Sequence, residues 1–158
     1  MNIFILSTDP VKAAQLQCDK HVVKMILESA QLLCSAHEPE SFVGQYKRTH
    51  FNHPCAVWTR TRAANYDWLF EHFVALVDEY RYRYKGRFHK SSTLIESLQN
   101  TPQDLLEDTF GKPRTPFVLA MPDKYKVKHP VSSYRVYYRS KQTKFHMAWT
   151  RRRKPAWF

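Results

Sequence analysis

The sequence predicts a mainly α fold: a compact bundle of about four to six helices in a single domain over residues 1–158, ending in an extended basic-aromatic C-terminal segment over 124–158. Three observations carry this. Apolar residues recur at steps of three and four, proline placed just after a capping residue marks helix starts, and no alternating run is long enough for a sheet. With 158 residues, 43% of them hydrophobic and 15% aromatic, the chain can bury a core without disulfide staples and is unsuited to disorder.

Residues 2–6, "NIFIL", are too short to classify. "STDP" then supplies a cap with Pro10 at the first helical position, which predicts a short helix over 10–17. Asp19 can cap a second helix reaching about His37, with Val22, Ile26, Ala30 and Leu33 toward the core. Residues 38–53 read as a loop. Pro54 opens one long helical pattern to about Tyr84, with Trp58, Tyr66, Leu69, Phe73, Leu76 and Tyr80 on its inner face. "TLIESLQ" carries a Thr93…Glu96 capping box, and Thr101 with Pro102 repeats the cap-then-proline start. "GKPRTPFVLAMPDKYKVKHP" holds four prolines and reads as extended and surface-bound. A last helix is expected over 131–149.

Composition excludes several classes. The three glycines, Gly44, Gly86 and Gly111, lie far apart, which rules out a glycine-rich phosphate loop or a dinucleotide fingerprint. No apolar run approaches the roughly 18–20 residues of a membrane span, and "MNIFILSTD" is short for a signal peptide, so no membrane association is expected. Cys18, Cys34 and Cys55 are odd in number and lack C-x-x-C spacing, which fits a reducing cytoplasm. His50-x-x-His53-x-Cys55 has ligand types at irregular spacing across Pro54, so no metal and no cofactor is expected. The protein is expected to act as a monomer.

The charge is informative through its placement. The chain has 25 Lys plus Arg against 14 Asp plus Glu, and its last 35 residues hold eleven of the basic residues and no acidic one. Aromatics are interleaved there, so cations for phosphates and flat faces for bases occur together, and DNA is the expected partner. Arg135, Arg139, Arg151, Arg152, Arg153 and Trp157 are the candidate contacts in this segment. Arg60, Arg62 and Asn65 are further candidates for a phosphate or a flipped base, and "EYRYRYKGRFHK" (79–90) is either a phosphate-gripping loop or a solvated helix end.

One stripe stands out. In "CDKHVVKMILESAQLL", His21, Lys24 and Glu28 sit at steps of three and four and share a helix face, near a helix start whose N–H groups favour anions and where Asp19 and Lys20 also lie. On elementary grounds Lys24 and Glu28 are an i,i+4 pair worth a few tenths of a kcal/mol. Asp19-x-His21-x6-Glu28 also resembles the first long helix of the phage-encoded pyrimidine dimer DNA glycosylases of the endonuclease V type, and "NHP" at Asn52, His53 and Pro54 is similar to the family as well. The resemblance covers about the first 60 residues and, in character, the C-terminal end. It implies a small basic all-α cytoplasmic enzyme that removes a damaged pyrimidine and nicks the strand, with an N-terminal α-amine as nucleophile and a helix glutamate beside it. Glu28 falls at the glutamate's position, and Lys24 echoes a lysine that related bacterial proteins carry in the same register.

The family has a small second residue that allows Met removal, whereas this chain has Asn2 and a longer segment before Asp19. The nucleophile is then the Met1 amine or a lysine such as Lys24, and Glu28, Met1, His21 and Lys24 are the candidate catalytic residues. Two other readings use the same scaffold: a transferase that modifies bases of phage DNA, and a DNA-binding protein without catalysis.

Overall fold

The structure, a computed structural model, describes residues 1–39 and 46–158. The mainly α architecture expected from the sequence is observed, with seven α-helices and no strand among the described residues. In order they are α1 (Pro10–Gln15), α2 (Asp19–Cys34), α3 (Pro54–Thr59), α4 (Ala63–Arg83), α5 (Ile95–Leu98), α6 (Gln103–Thr109) and α7 (Pro130–Arg139). Short 3₁₀ turns cover Lys90–Leu94, Asp123–Tyr125 and Ser140–Thr143. Helices α2 and α4 pack as the central pair, α1 lies on α4, and one cluster of buried side chains runs from Ile3 to Trp149. No described helix is long and apolar enough to cross a membrane.

The departures from the expected elements have local causes. The long helix from Pro54 is broken between α3 and α4, because Thr59 and Thr61 turn their hydroxyls back onto the carbonyls of Cys55 and Val57 and Arg62 is extended. Asn65 spans the break, donating to the Trp58 carbonyl at 2.6 Å. The helix expected over 131–149 stops at Arg139, where Ser140 and Thr143 bond the carbonyls of Tyr137 and Ser140 in a single 3₁₀ turn. Asp19 does not cap α2. Cys18 holds the cap position, its N–H donating to the Tyr138 hydroxyl at 2.8 Å, and α2 ends at Cys34, short of His37.

No Thr93…Glu96 box forms either, since His89 caps the preceding 3₁₀ turn, and Thr101 bonds Asp67 while Pro102 caps α6. Within the proline-rich stretch Phe117 and Met121 are buried rather than surface-bound. The expected loop at 38–53 is non-helical where described, and residues 40–45, including Gly44, lie outside the described residues.

The beginning of the chain is an extended segment in the core. Ile3, Ile5 and Leu6 are fully buried, yet no strand pairs with them, so their backbone groups find side-chain partners instead. Asn2 Oδ1 accepts from the N–H groups of Ile3 and Phe4, Gln17 donates to the Ile3 carbonyl, and Arg135 donates to that of Leu6. His72 completes this set. Its Nδ1–H donates to the Pro10 carbonyl at 2.8 Å, leaving Nε2 to accept from Gln17 at 3.2 Å.

Candidate active site

A cleft of about 280 Å³ opens between the start of the chain, α2 and the segment after α7. Glu28, 8% exposed, stands on its wall. Its Oε2 accepts from the Asn2 N–H at 2.8 Å and lies 3.9 Å from the Met1 amine. Its Oε1 faces Lys24 Nζ at 3.3 Å. The side chain of Met1 is 3% exposed while the residue as a whole is half-buried, so the exposed part of Met1 is its main chain, which carries the amine.

The local sequence explains how the amine arrives there. Asn2 is pinned from both ends of its amide: Oδ1 takes the Ile3 and Phe4 N–H groups at 2.8 and 2.9 Å, and Nδ2 donates to the Ala120 carbonyl at 2.7 Å. The turn puts Phe4 at φ 54°, a left-handed conformation sparse for residues other than glycine, and its ring stacks on His21 at 4.7 Å. His21 also meets Phe145 edge-on, and its Nδ1 shares a hydrogen bond of 2.8 Å with the Tyr138 hydroxyl, which also accepts from the Cys18 N–H. The far wall carries Tyr137, Lys141 and Lys144, with Lys141 Nζ 3.8 Å above the Tyr137 ring.

Burial, reinforced by the charges of Lys24 and Lys141, pushes His21 down to about 4, and burial pushes His72 down to about 4 as well. Both rings are therefore neutral in the folded protein at neutral pH. Between pH ~6.5 and ~4 the unfolded chain binds protons at these positions that the folded chain does not, so stability rises with pH across that window. The expected outcome is a loss on the order of a few kcal/mol as the pH falls from 6.5 to 4, read from denaturant midpoints. Stability that stays flat across that range contradicts the neutral assignment.

The other candidate residues are dispersed. Lys20 lies over Phe145 at 5.0 Å, next to the cleft. His53 caps α3 by accepting from the Cys55 N–H; burial first, then the charge of the N-terminal amine, lowers its pKa, and Asn52 beside it is exposed. Asp19 accepts from Arg83 and from the amide and hydroxyl of Thr150. Arg60 stacks over Phe51 at 3.6 Å, and Arg62 donates to the Pro113 carbonyl. Asn65 is fully buried, its amide also engaged with Thr115.

The C-terminal cations are partly engaged within the fold. Arg139 donates to the Trp157 carbonyl, Arg135 lies 5.2 Å from the Trp157 ring, and Arg151 donates to the Tyr82 carbonyl. Arg152 pairs with both oxygens of Glu79 at 2.9 and 2.8 Å, while Arg153 is exposed. The patch over 79–90 is where this tail docks: Arg151 and Arg152 both lie over Tyr82, and Glu79 holds Arg152. Of the two sequence-level readings of this patch, neither anticipated that use.

Asn2, Phe4, Tyr137, Lys141, Lys144 and Phe145 line the cleft without having been singled out from the sequence. Asn2 had a signal in its capacity to close a turn on its own backbone, and Lys141 and Lys144 repeat at a step of three. Among the described residues no three His, Cys, Asp or Glu side chains are grouped to hold a metal ion. A family model described as pyrimidine dimer DNA glycosylase matches residues 1–92, more than half of the 158-residue chain. It spans the wall built by the N-terminus and α2, whereas the Tyr137, Lys141 and Lys144 wall lies beyond it. No curated protein and no solved structure matches the chain.

Proposed function

The chain belongs to the pyrimidine dimer DNA glycosylase family, and from that membership and the cleft's geometry we propose that it excises a damaged or modified pyrimidine through its N-terminal amine and then cleaves the strand. One observation carries the reading: the first amine of the chain and the first peptide N–H both converge on one oxygen of a carboxylate that is 8% exposed. A surface i,i+4 pair needs no such arrangement.

The chemistry suits these groups. An α-amine ordinarily titrates near pH ~7.7–8, well below a lysine side chain, so a useful fraction is neutral and nucleophilic at neutral pH. Its nitrogen bonds to the sugar C1′, the glycosidic bond breaks, and the base leaves with the bonding pair and takes up a proton. Loss of the amine's proton and opening of the sugar ring at O4′ give an imine. Removal of a C2′ proton then expels the 3′ phosphate by β-elimination. In this reading Glu28 stabilises the cationic intermediates and carries these protons, and Lys24, Lys141 and Lys144, which line the same cleft, receive the flanking phosphates. The target nucleotide must leave the stack, or be locally distorted, for the amine to reach it.

The test is a duplex bearing a pyrimidine dimer, run beside one bearing an abasic site. Base release, strand scission and a borohydride-trapped covalent adduct are expected on at least one. No release and no adduct on either substrate contradicts the glycosylase-lyase and leaves a base-modifying transferase or a DNA-binding protein without catalysis. Binding itself is expected to weaken steeply with salt, and Lys141→Gln with Lys144→Gln to lower the slope of log K against log salt by about two. An unchanged slope removes these lysines from the interface.

A further inference from the structure

A second hollow of about 340 Å³ adjoins the cleft, sharing Tyr137, Lys141 and Lys144 with it and adding Lys124, Tyr125, Ser140 and Thr143. At this volume it sits at the small end of ligand pockets, which run from ~300 to ~1,000 Å³. Its lining holds three lysines and no carboxylate. Asp123, the acid nearest in sequence, is 94% exposed and is bonded by Lys126 at 2.7 Å. Two aromatic rings stand in the wall, Tyr125 and Tyr137, with centroids 5.1 Å apart, and Lys124 Nζ lies 5.1 Å from the Tyr125 ring. A hydrogen bond with Ser140, and after it the contact with Lys124, draws the Tyr125 phenol below its ordinary pKa. Half-buried aromatic faces beside uncompensated lysines are the equipment for a phosphate joined to a base.

We propose that this hollow holds the nucleotide next to the reacting one in the same strand, with its phosphate on Lys141 and Lys144 and its base against Tyr125. The shared wall carries the argument. Lys141 and Lys144 face both hollows, so a phosphate resting on them links whatever occupies the cleft to whatever occupies the pocket. Consecutive nucleotides of one strand are joined in that way. A base from the opposite strand has no phosphate in common with the reacting sugar. The proposal rests on the functional reading above, and it gives the far wall, which lies outside the family match, the task of gripping the strand beside the lesion.

The experiment uses single-stranded oligonucleotides with a tetrahydrofuran abasic analogue at the reacting position, which cannot form an imine, and reads binding to the full chain by fluorescence anisotropy. Tyr125→Ala is expected to weaken binding about tenfold, as loss of one base stack does, and Tyr125→Phe to restore it. Removing the base on the 5′ or on the 3′ side of the analogue is expected, for one of the two, to cut the effect of Tyr125→Ala to less than about twofold. A tenfold loss that persists whichever neighbouring base is absent overturns the proposal, as does no loss at all. If the effect appears only in duplex and vanishes when the opposite base is removed, the pocket serves the other strand and the proposal is also overturned. Wild-type protein that binds no DNA overturns both readings. Wild-type protein that forms the borohydride adduct yet shows no base-dependent effect of Tyr125 overturns this one alone.

Discussion

Glu28→Gln yields a folded protein that still binds DNA but turns it over roughly 10²–10³-fold more slowly, the usual cost of losing one charge-stabilising group from a catalytic site. Glutamine has the same shape and keeps one oxygen that can accept the Asn2 N–H now bonded at 2.8 Å, so stability is expected within about 1 kcal/mol of wild type. What disappears is the negative charge beside the Met1 amine at 3.9 Å and the Lys24 ammonium at 3.3 Å. Single-turnover rates on a dimer-bearing duplex, with thermal melts and binding measured in parallel, separate these effects. Unchanged turnover reduces Glu28 to one half of a helix-surface pair.

Arg83→Ala is expected to cost about 3–5 kcal/mol of folding stability, the range found when one member of a buried ion pair is removed. The Arg83 side chain is fully buried on α4 and ties that helix to α1, to α2 and to the turn between them. It donates to Glu79 at 2.6 Å, to Asp19 at 2.9 Å, and to the carbonyls of Gln17 and Gln15. Burial alone would raise the pKa of the Glu79 carboxyl, but hydrogen bonds from Arg152 and Arg83 outweigh it and hold the group below its ordinary value. Without Arg83, the partners left among the described residues are Thr150 for the Asp19 carboxylate and Arg152 of the tail for Glu79. The tail should then loosen with the core, so denaturant unfolding is expected at a lower midpoint, together with faster proteolysis after Arg151. A loss under about 1 kcal/mol means the site relaxes around the gap and the network is not a structural clamp.

Much of this architecture was legible in the residues. Asp9 with Pro10 and His53 with Pro54 start helices where the proline signal says they should, and the apolar spacing of Val22, Ile26, Ala30 and Leu33 marks a face of α2 that is fully buried. The stripe of His21, Lys24 and Glu28 was visible because helical spacing alone brings those positions to one face. The partners of that stripe were not visible, since they come from Met1, Asn2 and the segment around Lys141, more than a hundred residues away from the start of the chain in the last case. Nor could periodicity register the side-chain bonds that replace a strand's partners around Ile3 and Leu6, or the hydroxyls of Thr59, Thr61, Ser140 and Thr143 that cut two predicted helices short. The basic tail was plain as a charge excess, but charge counting does not separate Arg152, committed to Glu79, from Arg153 at the surface.

Mass mapping of the borohydride-trapped adduct decides whether the amine beside Glu28 does the chemistry. The trapped protein is digested, and the peptide carrying the sugar remnant is sequenced. The expected result is modification of the Met1 α-amine alone, the amine that lies 3.9 Å from Glu28 Oε2. A remnant on Lys24 Nζ, or on a lysine of the opposite wall, contradicts the N-terminal nucleophile.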